Sequence, residues 1–217
     1  YIAQLVAHEK QFLVIGSKNA GTYREVFPLI REGKLWYGAS INSGDREFGV
    51  PDHYPLTAAG SRIDDEGRKF VRVKGVRWFT NMDHAKRHEE LILFKRYSPH
   101  EYPMYDNYDA INVGKTAYIP MDYEGVMGVP ITFLDKHNPD QFDILGVSYL
   151  WDDGFESHKC YANYVEVRQN GTKTGMSGKK SNGLAVLKGK PTKGNYLVHG
   201  DDAVHTLYKR LFVRRKT

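Results

Sequence analysis

Cysteine is nearly absent from the sequence, because Cys160 is the single one among 217 residues. One thiol excludes an internal disulfide framework and favours a reducing compartment. No apolar run approaches the length of a membrane span, and the first residues lack the basic-then-apolar pattern of a signal peptide. We therefore expect a soluble, cytoplasmic protein that does not associate with membranes.

Acidic residues are missing from one long stretch, since no Asp or Glu occurs between Val167 and Gly200. The basic residues there are Arg168, Lys173, Lys179, Lys180, Lys188, Lys190 and Lys193. Near the end of the chain the set is extended by Lys209, Arg210, Arg214 and Arg215. These charges suit contact with DNA phosphates. The sequence leaves open whether the stretch is a mobile loop or an arm that follows phosphates.

A phosphate-binding lysine is missing from the loop in "FLVIGSKNAGTYREVFPLI", residues 12–30. Gly16 and Gly21 have the spacing of the G-x-x-x-x-G-K-[ST] motif, but the lysine that faces the terminal phosphates is absent. The pattern instead predicts a short buried strand over residues 13–15. A helix follows, and Thr22 and Glu25 are placed to cap its start as a capping box.

The first forty residues alternate between helix and strand patterns. We predict a helix over residues 1–9, a strand over 11–15, a helix over 23–31 and a strand over 35–39. This alternation is typical of a doubly wound sheet with helices on its faces. Because Tyr1 already lies within the first predicted helix, we expect a fragment of a longer protein.

The remaining elements are predicted to be mostly β-structure. The patterns indicate a hairpin over residues 62–73 with its turn at 65–67, a helix over 83–97, an ordered surface loop over 105–113, two strands around a helical turn in 128–147, and a basic edge strand over 208–216.

Two small constellations have alternative interpretations. His84 and His88 lie four residues apart, but neighbouring Lys86 and Arg87 would repel a cation, so no metal site is predicted. Trp78, Phe79 and Asn81 combine aromatic rings with an amide, as a site for an extruded base requires. On spacing alone, however, both aromatic rings more readily fill the core.

Three long segments resemble the DNA adenine-N6 methyltransferases of the EcoRI modification-methylase type. They are "FLVIGSKNAGTYREVFPLIREGKLWYG", "YPMYDNYDAINVGKTAYIPMDYEGVMGVPITFLDKHNPDQFDIL" and the closing "YKRLFVRRK". About 147–202 has no counterpart in this resemblance and is interpreted as a basic insertion. The Asn-Pro-Pro-Phe tetrapeptide that grips the target base in that family occurs nowhere in this sequence.

The resemblance implies a partial Rossmann-like α/β methyltransferase sheet in residues 1–97 and β-rich DNA-recognition elements in 98–217. It also implies methyl transfer from S-adenosylmethionine to a flipped adenine in double-stranded DNA, without a metal. The main cofactor site and the catalytic motif would then precede Tyr1. Lys18, Asn19, Trp78, Phe79 and Asn81 would border the base or cofactor pocket. The alternative hypothesis is a DNA-binding module without catalysis.

Overall fold

The computed structural model describes residues 1–41, 44–57, 59–149, 151–152 and 154–216, apart from the side chain of Lys180. The chain divides into two compact units, Tyr1–Arg87 and His88–Thr217. The fold is a mixed α/β arrangement of small sheets with few helices. The α-helices in the described residues are α1 (Ile2–Ala7) and α2 (Phe27–Arg31). Short 3₁₀ helices cover Lys18–Thr22, Ala85–His88, Thr116–Tyr118, Ile131–Asp135 and Gly178–Ser181.

The first unit contains two three-stranded sheets. Its strands are β1 (Leu13–Ser17), β2 (Trp36–Tyr37), β3 (Asp45–Val50), β4 (Ser61–Ile63), β5 (Lys69–Lys74) and β6 (Val76–Thr80). One sheet has the order β1-β6-β2, and β6 is antiparallel to both neighbours. The two strands predicted in the first forty residues are therefore present and run in the same direction, but β6 lies between them.

The second sheet of this unit, with the order β3-β5-β4, forms an arm between β2 and β6. It includes the predicted hairpin, which is confirmed: β4 pairs with β5, and Asp64 Oδ1 accepts the amides of Glu66 and Arg68 across the turn. No residue of the arm within the described 44–57 and 59–75 is buried. The arm is held by strand pairing and surface contacts rather than by an apolar core.

The predicted burial of residues 13–15 was wrong. Leu13 and Ile15 are 51% and 40% exposed, so β1 presents an apolar face to solvent. The predicted capping box was also wrong, because α2 begins later, at Phe27. Thr22 Oγ1 instead donates to the Asn19 carbonyl at 3.0 Å and closes the 3₁₀ turn. Pro28 lies in the first turn of α2, where its missing amide costs no helical hydrogen bond.

The second unit contains a four-stranded and a five-stranded sheet. Its strands are β7 (Ile111–Asn112), β8 (Met127–Pro130), β9 (Phe142–Val147), β10 (Val165–Val167), β11 (Lys173–Ser177), β12 (Val186–Lys188), β13 (Tyr196–His199), β14 (Asp202–Thr206) and β15 (Arg210–Arg215). The sheet orders are β7-β8-β15-β9 and β11-β10-β13-β14-β12. The two predicted strands within 128–147 are confirmed as β8 and β9. The five-stranded sheet lies in the chain between β9 and β15, which pair with each other.

The closing strand is central in its sheet, so its prediction as an edge strand was wrong. β15 pairs with β8 on one side and β9 on the other. A register shift between Phe212 and Val213 interrupts the alternation, and Leu211, Phe212 and Val213 are all fully buried. The basic residues flank this apolar centre and do not form one face.

Two further predictions in this region were wrong. The only helical part of residues 83–97 is the 3₁₀ turn at Ala85–His88. The Gln141 side chain accepts a hydrogen bond from the Leu91 amide and donates one to the Leu91 carbonyl, each at 2.8 Å, so neither backbone group is left for a helix. The predicted surface loop at 105–113 is buried instead. Tyr108, Ala110 and Ile111 are at most 1% exposed, and Tyr108 packs against Phe212 with ring centroids 4.4 Å apart.

Candidate functional site

A cleft of about 390 Å³ lies in the first unit, where the loop after β1 meets the base of the arm. It is lined by Ser17, Lys18, Asn19, Gly44, Asp45, Lys74, Gly75 and Arg77. The Lys18 amide donates to the Gly75 carbonyl at 2.7 Å, and the Tyr37 hydroxyl donates to the Lys18 carbonyl at 2.8 Å. These bonds fix the backbone of the loop. The glycine-bounded turn singled out in the sequence therefore forms one wall of a cleft.

Gly75 allows the close approach of the two walls. Its φ is +62°, and a Cβ there would lie 3.3 Å from Cε of Lys18. A larger residue would be strained in this conformation and would push the lysine stem aside. The lysine side chain is thus directed along the wall by its contact with a glycine.

The charge of the cleft is positive. Lys18, Lys74 and Arg77 contribute three cations, and the single lining carboxylate, Asp45, is already 3.1 Å from the Arg72 guanidinium. Arg77 is only 5% exposed, and its Nη1 donates to the Val76 carbonyl at 2.8 Å. A cleft with this charge favours an anionic group such as a phosphate. Lys18 was predicted from the sequence, whereas Lys74 and Arg77 were not, because they follow Lys18 by more than fifty residues in the chain.

The five predicted pocket residues do not line one cavity. Lys18 and Asn19 line the cleft, whereas Trp78, Phe79 and Asn81 do not. Phe79 is fully buried and meets Tyr37 edge-on at 5.1 Å. Trp78 points to the opposite face of β6, beside the exposed Ile15 of β1, and remains partly exposed.

Asn81 holds the chain segment that enters β1. Its Oδ1 accepts the Phe12 amide at 3.1 Å, and its Nδ2 donates to the Lys10 carbonyl at 2.9 Å. Both ends of the amide are therefore engaged with the backbone. The geometry gives Asn81 a structural role beside β6.

The basic stretch is an ordered β-sheet rather than one loop. Arg168 and Lys173 border the β10–β11 turn, while Lys190 and Lys193 lie in the β12–β13 connection. Lys179 follows β11, and Lys188 ends β12 with its Nζ 4.0 Å from Asp106. The side chain of Lys180 lies outside the described residues. Lys209 covers the ring of Tyr149 at 4.5 Å, and Arg210, Arg214 and Arg215 belong to β15.

The two histidines considered for a metal are engaged separately. His84 Nε2 is 2.9 Å from the Tyr37 carbonyl, and His88 Nδ1 is 2.8 Å from Asp140. Across the part of the chain that the structure describes, no group of three His, Cys, Asp or Glu side chains could hold a metal ion. Over the same part, no helix has the length and apolar character needed to cross a membrane.

Comparison with known proteins decides the family. The model of the family described as "Adenine-specific methyltransferase EcoRI" matches residues 1–216. The chain belongs to this family of adenine-specific methyltransferases. No solved structure matches the chain.

Three curated proteins resemble the chain over about two thirds of its length. The type II methyltransferase M.EcoRI of Escherichia coli is 49% identical over 147 residues, which are 67% of this chain and 45% of that protein. M.MpnI of Mycoplasma pneumoniae is 40% identical over 149 residues, or 67% of the chain and 46% of the relative. M.MgeORF184P of Mycoplasma genitalium is 38% identical over 151 residues, or 67% and 47%.

The chain spans less than half the length of these EcoRI-family relatives. Conversely, about a third of the chain lies outside each match. The five-stranded sheet, residues 165–206, overlaps most of the insertion predicted at about 147–202. That this insertion is the unmatched third of the chain stays a prediction.

Proposed function

We propose that the chain is part of a DNA methyltransferase that transfers the methyl group of S-adenosylmethionine to N6 of adenine in double-stranded DNA. The family match over residues 1–216 carries the proposal. The relatives named as type II methyltransferases support transferase chemistry. Because the chain spans less than half of each relative, the substrate and activity of the whole protein are part of the proposal.

The proposed reaction needs hydrogen-bond acceptors around the adenine amino group. This nitrogen is conjugated with its ring and is a poor nucleophile, so catalysis depends on positioning and electrostatics. The Asn-Pro-Pro-Phe tetrapeptide that would supply an acceptor does not occur among the 217 residues. We place it in the part of the longer relatives that this chain does not span, and we expect the chain alone to be inactive.

The cleft of the first unit does not fit the cofactor. S-adenosylmethionine carries a positive sulfonium, and the cleft already holds Lys18, Lys74 and Arg77 around one paired carboxylate. Like charges this close repel one another. We therefore propose that the main cofactor site lies outside these residues, and that Lys18 and Asn19 face a phosphate of the bound DNA.

The sheet β1-β6-β2 is proposed to be one end of a larger Rossmann-like sheet. Two observations support this extension. Leu13 and Ile15 of β1 expose an apolar face, and α1, which precedes β1, buries none of its residues. Apolar faces of this kind are normally covered in α/β proteins.

Trp78 is the proposed aromatic contact of the flipped adenine. It is the one of the two adjacent rings that stays partly exposed, while Phe79 supports β6 from the core side. Asn81 then acts indirectly by fixing the backbone of Lys10 and Phe12. Base stacking on an accessible ring is worth about 1–3 kcal/mol, which suits a residue that holds an extruded base.

The basic residues of the second unit are proposed to contact DNA phosphates. They are Arg168, Lys173, Lys179, Lys180, Lys188, Lys190, Lys193, Lys209 and Arg210. The exposure of the β10–β14 lysines also supports a second candidate function, a DNA-binding module without catalysis. A cytoplasmic location stays a prediction.

Methyl transfer separates the two candidate functions. The longest open reading frame that contains these residues is incubated with duplex DNA and tritiated S-adenosylmethionine, and methylated adenine is measured. We expect N6-methyladenine, and a rate at least about tenfold lower for Trp78→Ala, since losing a stacking contact of about 1.4 kcal/mol is a factor of ten. Trp151→Ala in the second unit is the matched control. DNA binding without any methylated adenine would overturn the methyltransferase proposal and favour the DNA-binding module without catalysis.

A further inference from the structure

Two loops meet at one end of the five-stranded sheet. β10 pairs with both β11 and β13, and Val167 at its end lies opposite Lys173 and Tyr196. The β10–β11 turn, residues 168–172, and the β12–β13 connection, residues 189–195, therefore emerge side by side. The sequence gives no sign of this, because residues 173–188 lie between the two loops.

Gln169 joins the two loops directly. Its Nε2 donates to the carbonyls of Pro191 at 3.1 Å and Gly194 at 2.8 Å. The amide nitrogen has two hydrogens, and both are thereby used. Gln169 therefore adds a side-chain link to the strand pairing that already brings the loops together.

Each loop is also fixed internally. In the turn, the Arg168 amide donates to the Thr172 carbonyl at 2.9 Å, and its Nη1 lies 3.3 Å from both Thr172 Oγ1 and the Lys173 carbonyl. In the connection, Lys190 lies over the ring of Tyr196 at 5.2 Å. His205 Nδ1 is 2.9 Å from the Gly189 carbonyl. The cations are thus carried on ordered backbone.

Four exposed cations are gathered at this end of the sheet: Arg168, Lys173, Lys190 and Lys193. We call this group the basic end. None of the four forms an ion pair among the described residues. The nearest carboxylate along the chain, Glu166, accepts a hydrogen bond from the Thr174 hydroxyl at 2.6 Å. Four like charges held close together repel one another, and an array of anions relieves this repulsion.

We infer that the basic end binds the sugar-phosphate backbone of duplex DNA as one preorganised unit, with Gln169 as its positioning residue. The inference rests on the proposed function for the identity of DNA as the polyanion. Lysines on turns reach phosphate oxygens without reading base edges, so this contact adds affinity independent of sequence. The loops need no ordering on binding, because Gln169 already holds them together.

Lys136 provides a matched comparison. It is an exposed lysine of the same unit, directly after the Ile131–Asp135 turn, and it is not among the residues proposed to contact DNA. Its charge does not belong to the basic end.

The test is the salt dependence of DNA affinity, measured with the 217-residue chain and a fluorescent duplex by anisotropy. Each phosphate contact contributes about 0.9 to the slope of log K against log salt concentration. For Lys190→Ala/Lys193→Ala we expect the slope to fall by about 1.8, equally for unrelated DNA sequences. Lys136→Ala is expected to leave the slope nearly unchanged.

Gln169→Leu tests the positioning role, because it keeps every charge. We expect a smaller salt slope and an affinity several-fold lower at 0.15 M salt, with an unchanged melting temperature. A slope that falls equally in Lys136→Ala and the double variant would overturn the proposal for the basic end. A wild-type slope in Gln169→Leu would overturn its positioning role.

The two proposals fail in different ways. If the slopes behave as expected while the longest open reading frame methylates no adenine, the enzyme proposal fails and the basic end stands. If adenine is methylated but the double variant keeps the wild-type slope, the basic end fails alone. Equal binding to anionic lipid vesicles in competition with the duplex would assign the basic end to a different polyanion and overturn it.

Discussion

Asp106 links the buried 105–110 segment to the residues that precede the five-stranded sheet. Its side chain is 5% exposed; the Lys159 ammonium lies 2.6 Å away, and the Tyr161 hydroxyl donates to the same oxygen at 2.9 Å. Burial raises the pKa of Asp106, but the hydrogen bonds from Lys159 and Tyr161 outweigh it and hold the pKa below its usual range. Burial and the hydrogen bond to Asp106 raise the pKa of Tyr161, so the phenol remains a donor.

Because its pKa is lowered in the folded state, Asp106 stabilises the fold more at neutral pH than at acidic pH. A carboxyl whose pKa is lower in the folded state stabilises the fold above its unfolded pKa, and this stability is lost as pH falls through the folded value. We expect Asp106→Asn to lower the free energy of unfolding at pH 7 by roughly 1–3 kcal/mol, since a charged hydrogen-bonded partner is removed. The difference in the free energy of unfolding between wild type and Asp106→Asn should shrink as the pH falls below about 4.

Urea denaturation of Asp106→Asn and wild type between pH 7 and pH 3 measures this effect. Asp143→Asn is the control, because Asp143 is 44% exposed and forms a solvent-exposed ion pair with Lys216 at 3.3 Å. An exposed pair of this kind contributes at most about 1 kcal/mol. Equal stability of Asp106→Asn and wild type at pH 7 would show that the Lys159 contact does not stabilise the fold.

At the scale of elements, the start of the Gly178–Ser181 turn packs closely against the residues that precede β10. The Gly178 amide donates to the Tyr164 carbonyl at 2.7 Å. A Cβ on Gly178 would lie 2.5 Å from both the Tyr161 carbonyl oxygen and Cβ of Tyr164. Neither atom is the end of a flexible side chain, so the backbone itself would have to move.

We therefore expect Gly178→Ala to lower the free energy of unfolding by about 1–3 kcal/mol, the usual cost of overpacking. Gly114→Ala is the matched control, since nothing lies within 4 Å of its added Cβ. There the smaller entropy of the unfolded chain should leave stability unchanged or raise it by about 0.5 kcal/mol. Thermal unfolding followed by circular dichroism compares the two variants, and similar losses in both would refute the packing argument.

Local pattern predicted the elements whose signal lies in neighbouring residues. The hairpin turn at Asp64 and Gly67 is one of them. The strands β8 and β9 were also predicted from their own residues, although both pair with the distant β15. The helix over 83–97 failed because a partner fifty residues away, Gln141, satisfies the backbone of Leu91. The buried position of β15 was hidden for a similar reason, since both neighbours and the register shift come from distant strands.

The candidate site shows the same division. Lys18 was identified because the glycine-bounded loop around it is visible in the sequence. Lys74 and Arg77 were missed because the arm returns the chain to the cleft only in three dimensions. Gln169 carries no charge and belongs to no motif, so its role depends entirely on where the two loops meet.

At the scale of the whole molecule, the cofactor is the clearest test of how the chain relates to its longer relatives. The described cleft is cationic, and β1 exposes Leu13 and Ile15. In open α/β sheets, ligands bind outside the carboxyl ends of strands where the strand order reverses. In the described part of the chain, β1 pairs only with β6, and no such reversal is formed beside it.

We expect the 217-residue chain to bind S-adenosylmethionine with a dissociation constant no tighter than about 1 mM, which is about −4 kcal/mol. Isothermal titration calorimetry measures this directly, with the longest open reading frame as the comparison. The longer protein should bind at least about a hundredfold more tightly, because it would supply the other side of the pocket to a sheet that already exists. Micromolar binding by the 217 residues would instead place a complete cofactor site within them, and the cationic cleft would then have to be reconciled with a sulfonium ligand.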